Sequence, residues 1–356
     1  MTGMAGAGVS SRAAHCSARH SPDSGPPRAG RCASSAGAPF DAFPGSRENT
    51  MIVRPQQNWL RMLFVWNGSV LQSIIPQLVF MAIVSTLAVF TNGRIFGEKI
   101  PLNTAPFTLF GLALAIFLGF RNNASFERFK EARHLWGNLL IAARTLTSQF
   151  NRYLPDSVSD AERDRLADLL IALTYALKHQ LRHTDPTADL QRILGTQRTA
   201  ELGGKCFKPV AILDELRGGI VGALGRAPGS DATCWMFETQ LDEVGKSVGG
   251  CERILSTPIP FSYSVLLHRT VYAYCVLLPF GLVDSTEFFT PLICVFISYT
   301  LIALEAIASE VAEPFGLAPN ALALDAMTRT IERSVLELGD RPMPEEFVPA
   351  STYQIT

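Results

Sequence analysis

From Val70 to Phe90 the chain carries no charged side chain, and the same holds from Pro101 to Phe120. Each run matches the ~20 apolar residues that take a helix across a bilayer. Two more apolar stretches follow far downstream. Pro258 to Val283 is interrupted by His268 and Arg269, and Phe288 to Leu304 stops at Glu305. The links inside each pair, Thr91 to Ile100 and Asp284 to Glu287, are short, so each pair is expected to form a helical hairpin. Composition agrees with a membrane protein: of 356 residues, 47% are hydrophobic and 18% charged, against roughly 25% charged in a soluble domain. The formal net charge is -1, from 31 basic and 32 acidic residues. That leaves no basic excess of the kind nucleic-acid binding requires.

Between the hairpins lies a polar segment from Arg121 to Thr257, which opens on the charge-rich RNNASFERFKEAR. Positive charge beside a span marks the cytoplasmic side, so this segment and both termini are expected in the cytoplasm. Leu166, Leu169, Leu170, Leu173 and Leu177 recur at spacings of three and four, a helical period. The middle is therefore expected to be a helical bundle continuous with the membrane helices. Breaks are expected at Leu154-Pro155-Asp156, at Thr184-Asp185-Pro186, and at the pairs Gly203-Gly204 and Gly218-Gly219. Residues 1–50, rich in Ala, Gly, Ser and Pro, cannot bury enough surface to offset their ordering entropy and are read as a disordered extension. A transit peptide and a start at Met51 are the alternatives there. The expected layout continues with 51–120 as an N-terminal segment and first hairpin, and 121–257 as the cytoplasmic helical region. Residues 258–308 follow as the second hairpin, and 309–356 as a cytoplasmic C-terminal segment.

Enzymatic chemistry finds little footing. The seven cysteines are scattered and never form a C-x-x-C pair, which reads as free thiols in a reducing compartment. His179 and His183 share a helix face, but no further ligand stands where a zinc motif needs one, so they read as ordinary solvated or interfacial histidines. Cys251, Glu252 and His268 make no recognisable nucleophile arrangement, and no phosphate-binding or dinucleotide motif is present. No cofactor and no bound metal are expected. Glu305, Glu310 and Glu313 end the fourth apolar run, and their expected use is pairing with Arg121, Arg128 or Arg133, as is that of Glu127 and Glu131.

One stripe in the first run invites a functional reading. Ile75, Val79 and Ile83 recur at spacing four and lie along one side of a helix that contains Pro76. In a single helix such a stripe is ordinary lipid-facing or core surface. Repeated around an axis it would form a narrow, dry constriction that gates by dewetting.

The segments GFRNNASFERFKEARHLWG (Gly119 to Gly137) and CERILSTPIPFSYSVLLHRT (Cys251 to Thr270), with EPFG at Glu313 to Gly316, resemble the bestrophin family, in the style of its bacterial members. The resemblance covers about Met51 to Leu338. It implies an all-α integral membrane protein with four transmembrane helices and a cytoplasmic helical bundle, assembled as a homopentamer around one pore. It also implies a hydrophobic neck at Ile75, Val79 and Ile83. A second, cytoplasmic constriction is implied near Cys206 in KCFKPVAIL, with Val210 or Ile212 as alternatives. Animal bestrophins follow the P-F-G motif with acidic residues that help bind calcium. Here Asn320 and Asp325 alone are too few for that hard cation, so calcium activation of that kind is not expected. The expected function is passive flow of a monovalent ion, either a cation such as sodium or the anion chloride, across the inner membrane. The acidic helix end tilts the reading towards cations. Rivals from other classes are a secondary transporter and a membrane scaffold or sensor.

Overall fold

The structure, a computed structural model, describes residues 51–52, 69–95, 98–99, 104–225, 230–346 and 354–355. The expectations for residues 1–50 lie outside the described residues. Helices dominate. The first two, α1 (Leu71–Phe90) and α2 (Thr104–Tyr153), are followed by α3 (Asp160–Arg182), α4 (Thr187–Leu194), α5 (Thr196–Gly203), α6 (Lys208–Leu224) and α7 (Ser230–Ser256). Then come α8 (Phe261–Thr286), a 3-10 turn (Glu287–Phe289), α9 (Thr290–Ala312) and α10 (Leu324–Leu338). Two-residue strands form two antiparallel pairs. In one, β1 (Met51–Ile52) lies beside β4 (Gln354–Ile355), and in the other β2 (Arg94–Ile95) pairs with β3 (Glu98–Lys99).

The four apolar runs become α1, the first part of α2, α8 and α9. By length and composition, three stretches are able to cross a membrane: Leu71–Phe90, Ala105–Tyr153, and Phe261–Ala312, the last holding both α8 and α9. In α2 the hydrophobic character ends at Arg121 but the helix does not. It runs on for 50 residues in all, because Ala132, Trp136, Leu139, Ala143, Leu146 and Phe150 continue a buried stripe at helical spacing.

Local chemistry explains most of the punctuation. The Ser159 side chain accepts from the Glu162 N–H and starts α3, with Asp160 and Glu162 in its first turn and His179 and Arg182 in its last. Those charges complement the helix dipole. Pro155 lies between α2 and α3, Pro186 between α3 and α4, and Gly203-Gly204 at the end of α5, as the sequence predicts. Gly218-Gly219 does not break the chain. Both lie inside α6, whose Ile212, Leu216, Ile220 and Leu224 are buried at spacing four. A Cβ at position 219 would stand 2.7 Å from Leu166 Cδ2, so the glycine serves close approach of α6 to α3 rather than a turn.

Two hydrophobic cores result. One gathers Ile74 and Met81 of α1, Leu114 and Leu118 of α2, Val271, Cys275 and Leu278 of α8, and Cys294 and Ile302 of α9. The other joins the distal part of α2 to α3, α6, α7 and α10, around Trp136, Leu146, Phe150, Leu170, Leu216, Phe237 and Val335. At the boundary Arg128 donates from Nε to the Ala312 carbonyl at 2.7 Å and from a terminal nitrogen to the Thr257 carbonyl at 2.6 Å. Its other terminal nitrogen donates to the Ile254 carbonyl. One guanidinium thereby caps carbonyls at the C-terminal ends of α7 and α9, groups that a helix end otherwise leaves open.

Candidate pore-lining surfaces

α1 divides into two faces. Ile74, Met81, Ser85 and Ala88 are buried, and this face packs against α8 and α9. On the other side Val79 is 53% exposed and Ile83 61% exposed, with Leu87 and Phe90 also open and Ile75 half-buried at the margin. The predicted stripe thus lies on the side of α1 that its own chain does not cover. Three hydroxyls in and just beyond this helix bond back to its own carbonyls. Ser85 Oγ donates to the Met81 carbonyl at 2.7 Å, Thr86 Oγ1 to that of Ala82 at 2.7 Å, and Thr91 Oγ1 to that of Leu87 at 3.0 Å. Such internal bonding suits a helix with no water beside it. Pro76, exposed within the helix, lacks an N–H and so withdraws one rung of the ladder near its start.

The residues proposed for a second constriction separate on inspection. Cys206 and Val210 are exposed at the start of α6, on the wall of an open cleft of about 1850 Å³. Ile212 is fully buried in the helical core. The same cleft is edged by ion pairs. Glu215 receives Arg165 at 3.1 Å and Arg198 at 2.5 Å, Glu162 receives Arg165 at 3.1 Å, and Arg198 also meets Glu201.

Two of the three glutamates at the end of α9, Glu305 and Glu310, are engaged, while Glu313 is exposed. Glu305 is buried and accepts from Arg121 at 3.1 Å, while Arg121 also donates to Ser309 Oγ at 2.7 Å. Glu310 accepts from Asn320 Nδ2 at 2.6 Å. The expected pairing holds for Arg121. Arg128 instead spends its donors on helix carbonyls, and Glu131 pairs with Arg253. Nothing in the spacing of these residues announces that choice, because the partners lie more than a hundred positions away in sequence.

His179 and His183 do not converge. His179 bonds Thr184 Oγ1 at 2.7 Å and Asp189 at 2.9 Å, whereas His183 ends α3 in a left-handed conformation, φ 54°. Asp325 is held by Lys178 at 2.9 Å and Arg182 at 2.5 Å. Burial would raise the Asp325 carboxyl, but the hydrogen bonds and charges of Lys178 and Arg182 outweigh it and hold the group below its ordinary range. Asp189 likewise falls to about 2, burial being overcome by the His179 hydrogen bond and the Lys178 charge. Among the described residues no group of three or more His, Cys, Asp or Glu is placed to hold a metal ion. Cys251 is buried, and burial pushes its thiol up to about 12, far from a usable nucleophile.

Its helices, with three stretches long and apolar enough to cross a membrane, define a helical membrane protein, and residues 51–337 match the family described as bacterial/fungal bestrophin protein. The chain belongs to that family. Among its relatives is the voltage-dependent anion channel-forming protein RSc3414 of Ralstonia nicotianae, 43% identical over 293 residues, which covers 82% of this chain and 95% of the relative. Another is the voltage-dependent anion channel-forming protein YneE of Escherichia coli K12, 41% identical over 318 residues, 86% of this chain and the whole of the relative. A crystal structure of a bacterial bestrophin homologue from Klebsiella pneumoniae superposes with a TM-score of 0.72 at 44% identity, covering 76% of this chain and 99% of that one. Ion-channel function, and not an enzymatic activity, is what membership implies.

Proposed function

We propose that the protein is a homopentameric channel for passive flow of monovalent ions, with α1 of each subunit lining one axial pore. The observation that carries the reading is the open stripe on α1: Val79 and Ile83 more than half exposed on a helix whose opposite face is sealed into its own subunit. Five copies of Ile75, Val79 and Ile83 would form three uncharged rings, and aliphatic rings of this kind gate by dewetting. In this reading α1, the first part of α2, α8 and α9 are four membrane crossings. The charged remainder of α2, with α3 to α7 and α10, then lies in the cytoplasm with both termini, and the host membrane is the inner membrane. Layout by segment follows the boundaries 51–120, 121–257, 258–308 and 309–356. Open apolar side chains on the helical bundle, such as Ile141 and Trp235, supply surface for neighbouring subunits.

The cytoplasmic constriction in this reading lies near Cys206, with Val210 as the alternative that the burial of Ile212 supports. Uncharged rings do not choose the sign of an ion. The names of the relatives favour an anion. Of the acidic helix end that favoured a cation, Glu305 and Glu310 are taken up by Arg121 and Asn320, which weakens that argument. Purified protein in planar bilayers under asymmetric sodium chloride tests the proposal: a passive current with a stable reversal potential is expected, and its sign assigns the permeant ion. Val79→Ala together with Ile83→Ala should raise the current. A particle mass of one or two chains, or no current from well-reconstituted wild type and double variant, would overturn it. Saturating, substrate-coupled flux would indicate the transporter instead.

A further inference from the structure

We infer that His268 is a positioning residue of this channel, and that its protonation, relayed through Tyr272 and Gln77, draws α1 back and opens the pore. The inference rests on the channel reading above. His268 Nδ1 lies 3.6 Å from Glu305 Oε1 of α9. Its ring rests on that of Tyr272, one turn along α8, with centroids 4.4 Å apart. Tyr272 in turn shares a side-chain hydrogen bond with Gln77 of α1. Glu305 also holds Arg121 of α2. One line of contacts therefore runs through all four apolar helices and ends on the helix that carries the stripe.

The groups facing His268 are few. Glu305 comes from α9 and Arg121 stands behind it on α2, while α8 supplies Tyr272 and the exposed neighbour Arg269. The sequence of α1 has no titratable side chain, so only the neutral amide of Gln77 meets this line. The imidazole is 55% exposed on the single subunit. Neutral His268 leaves Glu305 with a single cationic partner. A protonated ring adds a second cation at ion-pair range and a cation–π attraction to Tyr272. Both tighten the row that ends on Gln77. Arg121 Nε is buried without a hydrogen-bond partner, so the cluster has an unmet demand.

Direction follows from helix geometry. Gln77 lies two residues after Ile75 and two before Val79, which places it on the opposite side of α1 from the stripe. A stronger pull there seats α1 more firmly on its own subunit, away from the open face. Acid should therefore widen the neck.

The test uses the full chain in bilayers, with symmetric pH stepped from about 8 to about 5.5, the range in which histidine is the side chain that characteristically changes charge. Conductance should rise about fivefold, the lower end of ordinary coupling between sites, with the reversal potential unchanged. His268→Gln should give a flat pH profile. Tyr272→Phe keeps the ring but loses the hydroxyl that meets Gln77, and should conduct while losing most of the rise. Wild-type current that ignores pH, or a rise that survives intact in either variant, overturns the inference. Absence of current at every pH would instead count against the channel reading itself.

Discussion

The two hydrophobic cores of this chain are built by opposite strategies. Around α1, α8 and α9 the core is small, and large apolar side chains such as Val79, Ile83, Phe90, Leu292 and Phe296 remain open. Around α3 the core is broad and closed, and its edges are stitched by charge: Lys178 to Asp189 and Asp325, Arg182 to Asp325, Arg192 to Glu332, Arg341 to Asp168. Tyr175 donates to Glu332 at 2.6 Å, and its burial, with that bond, raises its phenol above the ordinary range. Water explains the difference. In the proposed assembly those open side chains meet lipid, neighbouring subunits or the pore axis, whereas the bundle must exclude water and satisfy every polar group it buries.

The contrast can be broken most forcefully at the one buried ion pair of the apolar half among the described residues. Arg121→Ala strands Glu305 in a buried setting and should cost about 3–5 kcal/mol. Thermal unfolding in detergent should show it, with Glu305→Gln recovering part of the loss in the double variant. In the bundle, Gly219→Leu drives a side chain into Leu166 and should cost about 1–3 kcal/mol, seen as a lower midpoint.

Acid should act on the bundle next. Asp189 and Asp325 have folded-state values below their unfolded ones, so their contribution is fully present above about pH 4 and is lost as pH falls through the folded values, about 2 for Asp189. Unfolding followed from about pH 5 to about pH 2 should show this loss, and Asp189→Asn should flatten it. Smallest of all, Val79→Ala removes an exposed side chain of the single subunit and should shift its stability by less than about 0.5 kcal/mol. A large loss there would mean that the stripe is packed rather than open.

Much of this architecture was legible from periodicity and charge. The apolar runs foretold α1, α8 and α9, and Pro155 and Pro186 fell at real helix ends, because a missing N–H and a fixed φ act locally. Gly218-Gly219 misled for the complementary reason: glycine permits a turn but does not demand one, and only Leu166, far away in sequence, reveals its use. At the candidate site, spacing found the stripe on α1 but had no means of telling that Ile212 would point inward while Val210 stayed out. Long-range partners were illegible throughout. Arg128 and its carbonyls, Lys178 between two aspartates, and His268 beside Glu305 are joined by folding and leave no mark on neighbouring letters.

The uninterrupted course of α2 has a mechanical consequence. At about 1.5 Å per residue a helix of its size is a rod about 75 Å long. It has no proline beyond its opening turn to act as a joint. A rod hinged near Arg128 works as a lever. A tilt of about 2° about that point would carry each end about 1.3 Å sideways, so a nudge delivered to the bundle arrives in the bilayer as a displacement of nearly a carbon–carbon bond length.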